Sequence, residues 1–149
     1  SIKFMDKEDL ERLSKIQLIS GYIDHRQKDI DIFNRDHKID KSLLINGRNQ
    51  TNMGLFRKYT DMYINRHPAV HKEMTIMVRH LSPSPQGIPL EIYMFSKDIR
   101  WVSYEHIMAD IFEHLIASAA FFELELFEYP TGKDVESLKN TREQTQTKS

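Results

Sequence analysis

Leu10, Leu13, Ile16, Ile19 and Ile23 recur at three- and four-residue steps, the period of a helix buried along one side. Asp6 stands just ahead, where its carboxylate can accept from the free N–H groups of a first helical turn. Gly21 costs about 1 kcal/mol relative to alanine inside a helix, so one helix or two remain open over this run. The following "DHRQKDIDIFNRDHKID", residues 24–40, keeps only Ile30 and Phe33 on a common stripe. It predicts a mostly solvated helix whose thin stripe meets a partner rather than a core. "KSLLING", residues 41–47, predicts a short strand closed by a turn at Asn46-Gly47. Thr51 or Asn52 then caps a helix carrying Leu55, Phe56, Tyr59, Met62 and Tyr63. His67-Pro68 ends it, because the residue before proline is pushed out of the helical region.

Residues 74–81 and 90–95 read as two strands around the Pro/Gly-rich loop in "LSPSPQGIPLEIYMF". A long helix is predicted over residues 101–122, with Ile107, Met108, Ile111, Phe112, Leu115, Ile116 and Ala119 along one side. "LELFEY", residues 124–129, predicts a last strand. Residues 133–149 hold two aliphatic side chains and no aromatic one, too little to offset the entropy of ordering, and are expected to be disordered. From residue 43 the order is strand, helix, strand, strand, helix, strand. That order predicts an α+β fold, a ferredoxin-like βαββαβ sandwich preceded by an N-terminal helical segment. The chain then divides into residues 1–40, 41–132 and 133–149. Leu55, Phe56, Ile76, Ile92, Ile111, Phe112 and Leu115 are expected in the core.

Side chains alternate between the two faces of a strand. Met74, Ile76 and Val78 share one face with Leu90, Ile92 and Met94, and this face can go under the helices. The other would hold Met77, Arg79, Leu81, Tyr93, Phe95, Phe127 and Tyr129. So much apolar surface on one face usually marks an interface. Met77, Arg79, Tyr93, Phe95 and Phe127 are therefore the candidate subunit or domain contacts.

At 149 residues the chain has room for one domain, or one with an appendage. Its 21 basic and 22 acidic residues nearly cancel, so no electrostatic footprint for nucleic acid or anionic lipid stands out. Cysteine is absent, which removes disulfides, thiolate catalysis and thiolate-bound zinc. The longest apolar stretch, residues 111–122, is interrupted by Glu113, His114 and Ser118 and is too short to cross a bilayer. The opening "SIKFMDKEDLERL" has neither an initiator Met nor a secretory signal, and "IKF" reads as the end of a strand, so a fragment of a longer protein is expected.

Candidate chemistry is sparse. His106, Asp110 and His114 fall at i, i+4 and i+8 and could ligate zinc from one helix face, but that face is equally the polar complement of the apolar stripe. His67 and His71 in "HPAVH" are separated by a helix-ending proline. Ser82 and Ser84 lie between prolines without a nucleophile elbow. "NGRNQTNMG" could offer N–H groups to a phosphate, yet it lacks the Lys-Ser/Thr of a P-loop, and a turn plus a cap accounts for it. Arg48, Arg57 and Arg79 suit ion pairs within or between subunits. No catalytic residue, metal or cofactor is called for, and no enzyme is expected.

Taken in order, several motifs carry a family resemblance. They are Thr51-Asn52 with Gly54, Phe56-Arg57 and Tyr59, His67-Pro68, Met77-Val78-Arg79, and "GIPLEIY" over residues 87–93. Trp101, Tyr104-Glu105, Asp110-Ile111-Phe112 and His114-Leu115 complete the set. From about residue 2 to residue 132 the chain resembles the cytoplasmic C-terminal region of small-conductance mechanosensitive channels, of the miniconductance-type branch. The resemblance implies a homoheptamer on the cytoplasmic side of a bacterial inner membrane. Its C-terminal domains would wall a vestibule that ions and small osmolytes cross during hypo-osmotic shock. It also implies that residues 1–40 are the end of a middle β-domain strand plus a helical insertion, and that membrane contact comes only through N-terminal helices absent from this sequence. Other copies of the chain are then the expected partners, and no nucleic acid.

Two rivals share the predicted architecture. An RNA-recognition module would stack bases on the open sheet face, but the charge balance and the missing aromatic consensus run argue against it. A regulatory domain binding a small molecule at a subunit interface is the alternative reading.

Overall fold

The computed structural model describes residues 1–127. Along them run helices α1 (Lys7–Leu13), α2 (Gln17–Asp36) and α3 (Asn52–Arg66), strands β1 (Met77–His80) and β2 (Leu90–Tyr93), and helix α4 (Trp101–Ala119). A single 3-10 turn, Ala120–Phe122, closes the long last helix. The architecture is α+β, with one two-stranded antiparallel sheet among the described residues.

The helix starts follow the sequence. Asp6 accepts the N–H of Asp9 at 2.9 Å while the Asp9 carboxylate accepts the N–H of Asp6, a reciprocal capping box. Thr51 is the cap of α3, its Oγ accepting from the N–H of Gly54 at 3.1 Å. His67 stops α3 in an extended conformation just before Pro68. The first apolar run does form two helices, but the break falls at Ser14–Lys15–Ile16 and not at Gly21. Gly21 lies inside α2, where buried Ile19, Ile23 and Ile30 outweigh its low propensity.

Leu13, Ile19, Ile23, Leu55, Phe56, Ile64, Val78, Ile111, Leu115, Ala119 and Phe122 share one buried cluster, so α1 and α2 contribute to the same core as α3 and α4. Several expectations need correction. The sparse stripe of α2 faces inward: Ile30 and Asn34 are buried, and Phe33 is covered by the Arg48 guanidinium at 3.5 Å from its ring centre. Residues 41–47 are a loop, not a strand. Its carbonyls at Leu44 and Asn46 accept from the Lys41 ammonium, so they are not free to pair in a ladder. Asn34 holds the far end of this loop, accepting from the N–H of Arg48 at 2.9 Å and donating to its carbonyl at 3.1 Å. Residues 124–127 also carry no strand; residues 128–132 of the expected sandwich, with Tyr129, and the tail at 133–149 lie outside the described residues. Phe112 is exposed rather than in the core, and Ile76 and Ile92 are only partly buried.

An extended N-terminal piece takes the place of a strand before α3. Met5 donates its N–H to Gln50 O at 2.9 Å, and Asn52 donates its N–H to Lys3 O at 3.2 Å, with a bridge between Phe4 and Thr51.

Candidate interaction surface

The hairpin is built by its loop. Ser84 and Gly87 exchange N–H···O bonds at 2.8 and 2.9 Å, and Gly87 takes φ +128°, which a side chain would resist. The ladder pairs Met77 with Tyr93, Val78 with Ile92, Arg79 with Glu91 and His80 with Leu90, and the Leu81 N–H extends it to Pro89 O at 2.9 Å. Beyond β2, the N–H of His71 donates to Phe95 O at 2.7 Å, which anchors that residue. This register sends Val78 and Ile92 toward the core and Met77, Arg79, Glu91 and Tyr93 outward.

The outer face is open. Met77 is 38% exposed, Tyr93 46% and Phe95 36%, and the Tyr93 and Phe95 rings meet edge-on with centres 5.4 Å apart. Next along this face from the Met77–Tyr93 pair, the Nε of Arg79 donates to Glu91 Oε1 at 2.8 Å. The structure thus brings together four of the five residues expected there. Phe127 is exposed as well, but it follows the 3-10 turn on a segment that is not in the sheet.

The other candidates are occupied by structural roles. His114 shares a 2.7 Å hydrogen bond with the Tyr59 hydroxyl and stacks on Tyr63, ring centres 4.0 Å apart. Burial, followed by the influence of Tyr59 and Asp110, pushes the Tyr63 hydroxyl pKa up. Among the described residues, no three of His, Asp and Glu gather as they would around a metal ion. Nδ1 of His67 accepts the N–H of Ala69 at 3.2 Å. The Ser84 hydroxyl donates to Gly87 O within the hairpin loop. At the start of α3, the N–H groups of Met53 and Gly54 already donate to the side chains of Asn52 and Thr51, which leaves a phosphate little to bind. Arg57 sits near His80, and together with burial it lowers the imidazole pKa, burial being the larger cause.

Two features escaped the sequence reading. A cleft of about 960 Å³ lies among α1, α2 and the loop before α3, lined by residues such as Leu10, Gln27, Asn34 and Gln50 and by none from the hairpin. The second is a further apolar face on α4. Val102, Ala109, Phe112 and Ile116 repeat at helical steps beside the buried Ile111, Leu115 and Ala119, and the two stripes read as one until packing divides them.

Compared with known proteins, the chain matches no family model and no solved structure. No described helix is long and apolar enough to cross a membrane.

Proposed function

We propose that this chain is a vestibule-building part of a bacterial mechanosensitive channel, and that the outer face of the β1–β2 hairpin is a contact between subunits. The observation that carries the proposal is the exposure of Met77, Tyr93 and Phe95 beside Arg79 on one sheet face that the chain's own helices leave uncovered. Burying a large apolar side chain contributes about 1.5–3 kcal/mol, so covering this face favours assembly. The resemblance of the ordered motifs from Thr51 to Leu115 to that channel family supports the reading. The helix–strand–strand–helix order of α3, β1, β2 and α4 supports the ferredoxin-like sandwich within this reading, since those are the four central elements of βαββαβ. Solute passage on hypo-osmotic shock and placement on the cytoplasmic side of the inner membrane belong to the same proposal.

The test is the Tyr93→Ser/Phe95→Ser double variant in the full-length protein. The isolated chain should keep its circular dichroism while the assembled channel loses subunits on size-exclusion chromatography and no longer protects cells from hypo-osmotic shock. A double variant that assembles and gates like the wild type would leave the outer sheet face free for a ligand instead.

A further inference from the structure

The second open face, on α4, points to what meets the hairpin. Around the helix, Ile111, Leu115, Ser118 and Ala119 face the core, while Val102, Glu105, Ala109, Phe112 and Ile116 follow one another at three- and four-residue steps on an adjoining arc. That spacing is the seam of a helix that packs on something. Here it is open: Trp101 is 75% exposed, Val102 66%, Phe112 46% and Ile116 56%. Glu105 lies within this stripe, exposed and without a charge partner among the described residues.

The hairpin's outer face can supply a donor to it. Its apolar side chains flank the Arg79–Glu91 ion pair, in which Arg79 uses only Nε, so that both terminal Nη groups are unpartnered among the described residues. A guanidinium fork with two open donors suits a second carboxylate. One apolar face carries an unpaired anion, the other an ion pair whose guanidinium has donors to spare.

We infer that the α4 face of one copy packs on the hairpin's outer face of a second copy, with Glu105 pairing with Arg79 across the contact. The inference rests on the proposed role of the sheet face and names the surface that covers it. A fully exposed aromatic side chain presents about 150–250 Å². On that scale the open parts of Trp101, Val102, Phe112 and Ile116, laid on those of Met77, Leu81, Tyr93 and Phe95, hold at most roughly 800–900 Å² of apolar surface to be covered. With the polar rim added, this reaches the total of about 1,000 Å² that a specific contact needs. Ala109, small and central in the seam, lets the helix lie close to the sheet. Because two different surfaces meet, one copy still offers its hairpin face and the other its α4 face, and the contact can close a ring or a reciprocal pair.

Charge swapping tests it by sedimentation of the purified chain, with circular dichroism to confirm folding. The wild type is expected to self-associate below about 1 mM. Glu105→Arg alone, and Arg79→Glu with Glu91→Arg (which keeps the hairpin's own ion pair in reverse), should each weaken association about tenfold. The triple variant should restore it, and so should an equimolar mixture of the two partial variants, in which Arg at 105 of one meets Glu at 79 of the other and Glu105 meets Arg79. A wild type that stays monomeric to that concentration, a Glu105→Arg chain that associates normally, or a triple variant as weak as the partial ones overturns the inference. If Tyr93→Ser/Phe95→Ser weakens association while Glu105→Arg does not, the sheet face remains an interface and its partner surface is not α4. If neither weakens it, the sheet-face reading fails as well.

Discussion

Asn52, wholly buried in the first turn of α3, donates its side-chain amide to the carbonyl of Phe122 at 3.0 Å, across 70 residues of chain. The same amide donates to Ser1 O at 3.0 Å, and its Oδ1 accepts the N–H groups of Lys3 and Met53, both at 2.9 Å. One side chain thereby joins the N-terminal segment, α3 and the turn after α4, with its bonding capacity filled.

Asn52→Ala should therefore cost about 2–4 kcal/mol, since it strands buried backbone groups on three segments at once. Urea unfolding is the measurement. A lower midpoint with an unchanged slope is the expected result, and a loss below about half a kilocalorie would mean these groups find other partners.

Leu115 and Phe112 should part company despite lying three residues apart. Leu115 is buried beside Ile111, and Leu115→Ala should destabilise by about 2–5 kcal/mol through the cavity it leaves. Phe112→Ala, on the open face, should change the isolated chain by less than about 1 kcal/mol. Equal losses at the two sites would contradict the division of α4 into a core stripe and an open stripe.

Gly47 has φ +71°, and a Cβ there would lie 2.3 Å from Asn34 Oδ1, the atom that holds the loop before α3. Gly47→Ala should cost about 1–3 kcal/mol from strain and crowding together. Combined with Asn34→Ala, the loss should fall short of the sum of the two single losses, because the crowded atom is gone. Thermal or urea unfolding of the four chains checks this.

His80 titrates below its ordinary value of 6.5, first because burial disfavours the charged ring and then because Arg57 repels it. The folded state thus binds this proton less readily than the unfolded state does. Its contribution is full above pH 6.5 and is lost as pH falls through the folded-state value. Imidazole chemical shifts should place the His80 midpoint below that of a free histidine, and Arg57→Gln should move it upward. A midpoint at or above the free value would remove both causes.

The elements legible in the chain are those whose causes are local. Asp6, Thr51 and Pro68 mark helix ends through their own backbone chemistry, and these ends stand where the sequence puts them. The alternation in "MTIMVRH" and "LEIYMF" likewise set Val78 and Ile92 against Met77 and Tyr93 before any packing was known. Periodicity could not say how much of an apolar arc the fold would cover. Phe112 and Leu115 carry the same hydrophobic signal, and only the placement of α3 beside α4 leaves one outside. Nor could it foresee the loop at residues 41–47, where "SLLI" has strand propensity but Lys41 claims the carbonyls of Leu44 and Asn46 and Asn34 pins the backbone of Arg48 just beyond. Asn52 shows the limit most plainly. In sequence it is one of two possible caps, and it becomes the joint of three segments only because Ser1, Lys3 and Phe122 are brought to it through space.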